Sequence, residues 1–213
     1  MKVDGHRTYG LLGTVVIIFV VLPLTRSGEQ PARLIGAVLF SAIILWGLWS
    51  LSEHRRHLIV GIALMAPAFV FTILNNLVES RGIEVTWLIT NSLALGFLIV
   101  MLLRRLVRTE RVTADTLSSA VSGYFLLGIL WSFAYALLLQ LDPGAFRGVE
   151  EGGAADLFYF SFVTLTTLGY GDITPVSATA ETVAVLEAIV GQLYLVITVA
   201  RLVGMQIAAR QST

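Results

Sequence analysis

The chain is a succession of long apolar runs broken by short clusters of charged residues, glycine and proline. Six runs approach the ~20 residues that an α-helix needs to cross a bilayer: Tyr9–Leu24, Ala32–Leu51, Leu58–Val78, Val85–Val107, Thr116–Leu141 and Val176–Ile207. A seventh, Asp156–Thr167, is too short to cross and reads as a re-entrant element between the last two spans. Pro67 interrupts the third run, which a membrane helix tolerates better than a soluble one. The pattern predicts an all-α integral membrane protein with six transmembrane helices and one re-entrant helix.

Charge orients these spans. Lys2 and Arg7 ahead of an apolar run suggest a signal peptide, but Leu24-Thr25-Arg26-Ser27 offers no small-x-small cleavage site, so the first run reads as a retained helix. With the N-terminus inside, the inner segments collect Lys2, Arg7, Arg55, Arg56, Arg104, Arg105, Arg108, Arg111, Arg201 and Arg210. The outer segments hold Arg26, Arg33, Arg81 and Arg147. Ten against four predicts cytoplasmic N- and C-termini in a cell (plasma or inner) membrane. Asp142, Glu150, Glu151, Asp156 and Asp172 then face outward around the re-entrant stretch.

Composition narrows the chemistry. Of 213 residues, 56% are hydrophobic and 13% charged, about half the charge of a soluble domain, which excludes an ordinary soluble enzyme. The mean hydropathy is +0.84. Fourteen residues of each sign cancel, so no nucleic-acid partner is expected. The absence of cysteine excludes disulfides and thiolate sites, and three scattered histidines leave little for zinc. His54 and His57, flanking Arg55-Arg56, read as part of a solvated inner loop, and no cofactor is expected.

A shift near residue 112 divides the chain. Residues 1–112 form a four-helix bundle ending in the basic segment Arg104–Arg111, and residues 113–213 form a helix, a re-entrant stretch and a last helix. The second unit occurs once, without an internal repeat. It contains Thr164-Leu165-Thr166-Thr167-Leu168-Gly169-Tyr170-Gly171-Asp172. This run resembles the selectivity-filter signature of the tetrameric potassium channels, and the resemblance extends over roughly Leu117–Ile207.

The resemblance implies a homotetrameric pore with an outer helix, a pore helix at 156–166, a filter at 167–171 and an inner helix at 176–207. Potassium would be the permeant ion, bound at Thr167, Leu168, Gly169 and Tyr170, with Gly171 completing the filter. The chemistry fits. A dehydrated potassium ion needs a cage of oxygens, which backbone carbonyls supply. Pointing successive carbonyls to one side demands unusual backbone angles at alternate residues, and Gly169 and Gly171 tolerate positive φ. Thr167 adds a hydroxyl at the inner end. The pore helix would aim the negative end of its dipole at the cavity, with Asp156 complementing the positive end.

Some positions depart from the family. Where it often has two pore-helix tryptophans bracing the filter tyrosine, this chain has Tyr159 and Phe160. Phe160 can brace only by packing, whereas the Tyr159 hydroxyl is expected to reach the Asp172 carboxylate. Thr166 joins them as filter support. Leu168 stands where valine or isoleucine is commoner, a small change because the carbonyl coordinates.

Gly191, nineteen residues beyond Asp172, matches the family's hinge glycine, and close helix packing explains it equally well. Gln192, Leu195, Val199 and Val203 should line the cavity or gate. Glu187, the only acid well inside a span, is costly there and should face protein or water. Its expected partners are Thr164, Thr166 or free backbone at the pore-helix terminus, with either a packing role or a proton switch behind the filter.

Voltage sensing needs arginines inside the fourth span, but Val85–Leu103 carries no charge. Arg105, Arg108 and Arg111 recur only at the cytoplasmic exit and read as a positive-inside anchor. Asn75 and Asn76 are the expected interhelical hydrogen-bond formers. The leading expectation is therefore a voltage-insensitive, potassium-selective channel whose partners are its own copies and membrane lipid; a regulatory partner and the gating stimulus are not legible. A membrane enzyme or electron carrier fails for want of intramembrane ligands. A potassium transporter, or a weakly selective cation channel with the same loop, is the alternative, although such transporters join four degenerate copies in one chain.

Overall fold

The computed structural model describes residues 55–78, 80–109, 111–150 and 153–211, with the short stretches 12–13, 41–42 and 45–47. Apart from those stretches, the first two expected spans, Tyr9–Leu24 and Ala32–Leu51, lie outside the described residues, as does His54. The elements follow in the order α1 (Arg55–Leu77), α2 (Arg81–Arg108), α3 (Ala114–Leu141), β1 (Phe146–Arg147), α4 (Ala154–Leu165), β2 (Thr174–Pro175) and α5 (Ala178–Gln211). Among the described residues four helices, α1, α2, α3 and α5, are long and apolar enough to cross a membrane. The 12 residues of α4 rise only ~18 Å, short of a ~30 Å hydrocarbon core.

Local chemistry moves several boundaries from their expected places. Helix α3 starts at Ala114, two residues early, because Thr113 and Thr116 form a capping box: Thr113 Oγ1 accepts from Thr116 N at 3.2 Å, and Thr113 N donates to Thr116 Oγ1 at 3.3 Å. The last helix starts at Ala178 and not Val176. Residues before it are held in an antiparallel ladder, Phe146 opposite Pro175 and Arg147 opposite Thr174, extended by Val176 N donating to Ala145 O at 2.8 Å. Ser177 Oγ then accepts from Ala180 N at 3.2 Å and opens α5. Arg55, Arg56 and His57 lie in the first turn of α1, which corrects their reading as a loop.

Elements adjacent in sequence pack on one another, and α5 returns to pack on both α4 and α3. Along α2 the buried positions Leu88, Asn91, Leu95, Leu98, Leu102 and Leu106 fall three or four apart, one stripe of a helix. The stripe meets Leu126 and Ile129 of α3, Phe158 of α4 and Tyr194 of α5. A second core lies beside the ladder, where Tyr135 packs edge-on against Phe160 at 4.9 Å and Phe146 at 5.5 Å.

Polar ties between helices differ from expectation. Asn76 Nδ2 donates to Thr72 O at 2.7 Å within its own helix, as short polar side chains do when a carbonyl four residues back is in reach. The tie between α1 and α2 is instead Trp87 Nε1 donating to Thr72 Oγ1 at 3.0 Å. At the opposite end of α2, Arg105 Nη2 donates to Asp115 Oδ2 at 2.8 Å across to the start of α3. Arg201, far along α5, donates to the carbonyls of Leu106 (3.3 Å), Val107 and Thr109 (3.2 Å). A guanidinium there satisfies carbonyls left free by the end of α2 and meets the negative end of its dipole.

The α3–α4 seam depends on a missing side chain. A Cβ on Gly128 would lie 2.4 Å from Phe162 Cζ, so the ring or the helix would have to move. Gly128→Ala should therefore destabilise the fold by about 1–3 kcal/mol, the usual cost of overpacking. Gly96→Ala, where a Cβ would meet nothing within 4 Å, should be neutral or mildly stabilising. Thermal midpoints of the purified protein in detergent check the pair, and equal midpoints would contradict the seam.

Candidate functional site

The chemistry converges on the turn after α4. Helix α4 ends at Leu165, and Thr166 caps it with its N–H on Phe162 O and its Oγ1 donating to the same carbonyl at 2.6 Å. The chain then doubles back: Thr167 N donates to Thr164 O at 2.9 Å, Leu168 N to Val163 O at 2.9 Å and Gly169 N to Val163 O at 3.3 Å. From there the backbone runs open. Its φ is positive at Thr167 (59°), Gly169 (57°) and Gly171 (79°), every second residue.

Such an alternation of hand is the backbone geometry that aligning successive carbonyls on one side demands. Sequence reasoning assigned it to the two glycines and missed Thr167, the only non-glycine with positive φ among the described residues. A β-branched residue is a genuine outlier in that region, and such strain costs about 1–3 kcal/mol. The signal was present in the two-residue period that runs 167, 169, 171. The side chains of Leu168 and Tyr170 are 54% and 68% exposed, so a single chain does not cover its own loop.

At the outer end of the loop the expected tie is present. Tyr159 Oη donates to Asp172 Oδ2 at 2.7 Å. That hydrogen bond, with smaller help from backbone N–H groups, holds the Asp172 carboxyl below its ordinary value against the opposing effect of desolvation. Asp156, at the start of α4, accepts from Glu150 N at 3.1 Å. Phe160 points away from the loop and into the second core against Tyr135 and Phe146. Within one chain Phe160 thus braces α4 by packing against Tyr135 and Phe146.

Helix α5 shows two faces. Ala180, Glu187, Gly191, Tyr194 and Thr198 are buried against the chain's own helices. Gln192, Leu195, Val199 and Val203, the expected lining residues, all lie on the exposed side. A Cβ on Gly191 would meet Leu165 Cδ1 at 2.7 Å and Leu165 O at 2.8 Å, so this glycine is where α5 presses on the last residue of α4. Helix α5 runs unbroken through it.

The partners of Glu187 correct the expectation of Thr164, Thr166 or free backbone. Tyr135 Oη donates to Glu187 Oε2, and Ser161 Oγ lies 2.6 Å from Oε1. Thr166 is already bonded to Phe162 O, and the carbonyl of Leu165 accepts from Tyr124 Oη at 3.1 Å. Tyr135, Ser161 and Tyr124 are the functional neighbours that sequence reasoning missed. Their signal was polarity inside apolar runs, where a polar group must find a partner. Their separations from those partners, 52, 26 and 41 residues, hid which partner it was.

The depressed Asp172 carboxyl sets the sign of one pH effect. Its ionised form stabilises the tie above the ordinary carboxyl range, and the tie is lost as pH falls through the lowered folded value. Tyr159→Phe removes the main cause, so protonation of Asp172 should begin at a higher pH than in the wild type. NMR titration of the Asp172 carboxyl carbon in both proteins measures this, and identical midpoints would contradict it.

Comparison with known proteins bears on this same stretch. Residues 119–207 match the family profile described as an ion channel. The chain is 32% identical over 105 residues to TWiK family of potassium channels protein 18 of Caenorhabditis elegans, covering 49% of this chain and 21% of that protein. It is 40% identical over 50 residues to Two-pore potassium channel 4 of Arabidopsis thaliana, covering 24% and 18%. It is 32% identical over 74 residues to Inward rectifier potassium channel Kirbac3.1 of Paramagnetospirillum magnetotacticum, covering 35% and 24%. The chain thus spans a quarter or less of the length of these relatives. No solved structure matches it. The helix–loop–helix of residues 119–207 is thus similar to an ion-channel family and to segments of potassium channels, which supports a pore-loop potassium-channel family for this chain.

Proposed function

We propose that the chain conducts potassium passively across a cell membrane as a homotetramer, each copy lending one loop to a fourfold carbonyl-lined filter. The observation that carries this is the positive φ at Thr167, Gly169 and Gly171 in a loop that follows a short helix. Four such strands around an axis stack rings of oxygen from Thr167, Leu168, Gly169 and Tyr170, able to replace the hydration shell of a potassium ion. Gly171 completes the strand, and the Tyr159–Asp172 tie holds its outer end.

Two features support assembly from four chains. One chain holds one loop, and that loop leaves Leu168 and Tyr170 uncovered. The exposed face of α5 carries Leu195, Val199 and Val203 with Gln192 among them and suits a surface shared between copies or facing a cavity. On this reading residues 1–112 form a helical bundle beside the pore and residues 113–213 form the pore itself, with both termini cytoplasmic.

Voltage insensitivity follows from the placement of charge. Between Glu84 and Arg104, α2 carries no ionisable side chain. Each elementary charge crossing the field is worth only ~2.3 kcal/mol per 100 mV, so steep gating needs several mobile charges there. Arg105 is paired with Asp115 at the end of the helix.

In a potassium/sodium gradient across a bilayer holding the purified protein, the reversal potential should follow potassium, and equal permeability to both ions would overturn the reading. Gly169→Ala and Gly171→Ala should each abolish selective conduction. Within the chain a Cβ at either position meets nothing within 4 Å, so backbone conformation is the cause within one copy. The same recordings should show conductance that changes little between −100 and +100 mV.

A further inference from the structure

Glu187 is the one fully buried carboxyl group among the described residues, at 0% exposure, in the first third of a helix long enough to cross a membrane. Three oxygen–oxygen contacts run in series here, two of them to Glu187. Tyr135 Oη meets Glu187 Oε2, Glu187 Oε1 meets Ser161 Oγ at 2.6 Å, and Ser161 Oγ meets Gly128 O at 2.7 Å. Each contact at that distance needs its own hydrogen. Tyr135 has one to give and Ser161 has one. Gly128 O is a carbonyl and only accepts, so the Ser161 hydrogen belongs there. The Glu187–Ser161 contact is then left without a hydrogen unless the carboxyl carries it.

From this count the geometry points to Glu187 as a buried one-proton site: its carboxyl holds a proton on Oε1, donates it to Ser161, and so pins α5 to α3 and α4 behind the loop. An ionised Glu187 would force two oxygens to within 2.6 or 2.7 Å with no hydrogen between them. It would also place an unpaired charge where none is compensated. The ionisable groups facing it are Tyr135 and Tyr124 on α3. Helix α4 offers it only Ser161, because Asp156 bonds Glu150 N and Tyr159 bonds Asp172 at the outer mouth. On its own helix Glu181 and Tyr194 lie about two turns away, and Tyr194 Oη is bonded to Ala120 O. Among the described residues no cation faces the site, and a buried charge without a partner is strongly disfavoured.

The proton's place gives it a consequence. Glu187 lies one turn before Gly191, which presses on Leu165, the last residue of the helix that carries the loop. Removing the proton leaves either the Glu187–Ser161 contact between α5 and α4 or the Ser161–Gly128 contact between α4 and α3 without its hydrogen, one turn from that point. On the channel reading, on which this step rests, conduction falls as pH rises into the alkaline range and recovers on return. The transition is opposite in side to a switch that charges on mild acidification.

Infrared difference spectra of the whole protein in lipid, with glutamate carbon-13 labelled, test the site without reference to conduction. At pH 7 a protonated glutamate C=O band should be present in the wild type, shift in Ser161→Ala, and be missing in Glu187→Gln. A wild-type spectrum at pH 7 with no protonated glutamate overturns the proposal, even if no variant folds. Rubidium flux into liposomes tests the consequence. Wild-type flux should fall on alkalinisation by no more than about tenfold per pH unit, the slope of one proton. Glutamine accepts from Tyr135 and donates to Ser161 as the protonated acid does, so Glu187→Gln should stay within about twofold of wild type at pH 7 and lose the pH dependence. An unchanged alkaline response in Glu187→Gln overturns the coupling. A protein that carries the band and no flux at any pH leaves the proton site standing and sinks the channel reading instead.

Discussion

Everything in the described structure serves one stretch of backbone that is neither helix nor sheet. Residues Thr166–Asp172 leave the end of α4 and run with alternating hand, which no internal hydrogen-bond ladder can hold. In a protein that crosses a membrane, such backbone survives only where the protein or a water-lined path satisfies it. Thr167 at φ 59° adds strain that the surroundings must over-determine. The fold answers by anchoring the stretch at each end. At its start three N–H groups fold onto Val163 and Thr164 carbonyls, and at its finish Tyr159 holds Asp172.

The helices behind the loop are tied by a small set of polar groups in otherwise apolar surfaces. Tyr124 reaches Leu165 O, Ser161 reaches Gly128 O, Tyr135 reaches Glu187, and Tyr194 reaches Ala120 O. Three of these four converge on α4 or its immediate contacts. Lipid tails are as apolar as leucine, so apolar burial gives little drive for one helix to seek another in a bilayer. Specific hydrogen bonds and close approaches at Gly128 and Gly191 therefore fix which faces meet, and leucine stripes fill the space between.

How much of this could be read from the residues alone follows from the range of each interaction. The spans and the short helix were legible, because apolar length is a local property, and α3 and α4 appeared within two residues of their expected starts. The loop was legible too, since its conformation is written in consecutive residues, and the Tyr159–Asp172 tie spans only thirteen. What failed was pairing at long separation. Glu187 was recognised as a residue needing partners, but Thr164 and Thr166 were named because they were polar and near the loop. Tyr135 and Ser161 were chosen by the way three helices rotate against each other, which no single run of residues encodes. The ladder of Phe146–Arg147 with Thr174–Pro175 was invisible for another reason, since two residues are too few to show a period.

Helix α5 is where these ties meet. Its 34 residues rise ~51 Å, yet most of its surface touches nothing in its own chain. It is held at three heights: by Ser177 and the ladder at the start, by Glu187 and Gly191 against α4 in the middle, and by Arg201 on the carbonyls that end α2. The last tie is the only one of the three that reaches the bundle preceding α3, and it runs from a side chain to backbone. Charge on α5 therefore acts where α2 terminates, and Arg105 links that same terminus to Asp115 at the start of α3. A displacement of α2 along its axis would load Arg201 and Asp115 together, passing to α5 and α3 at one level. Arg105 and Arg201, two of the arginines counted in the positive-inside pattern, are in this fold also the fasteners of α2 to α3 and to α5.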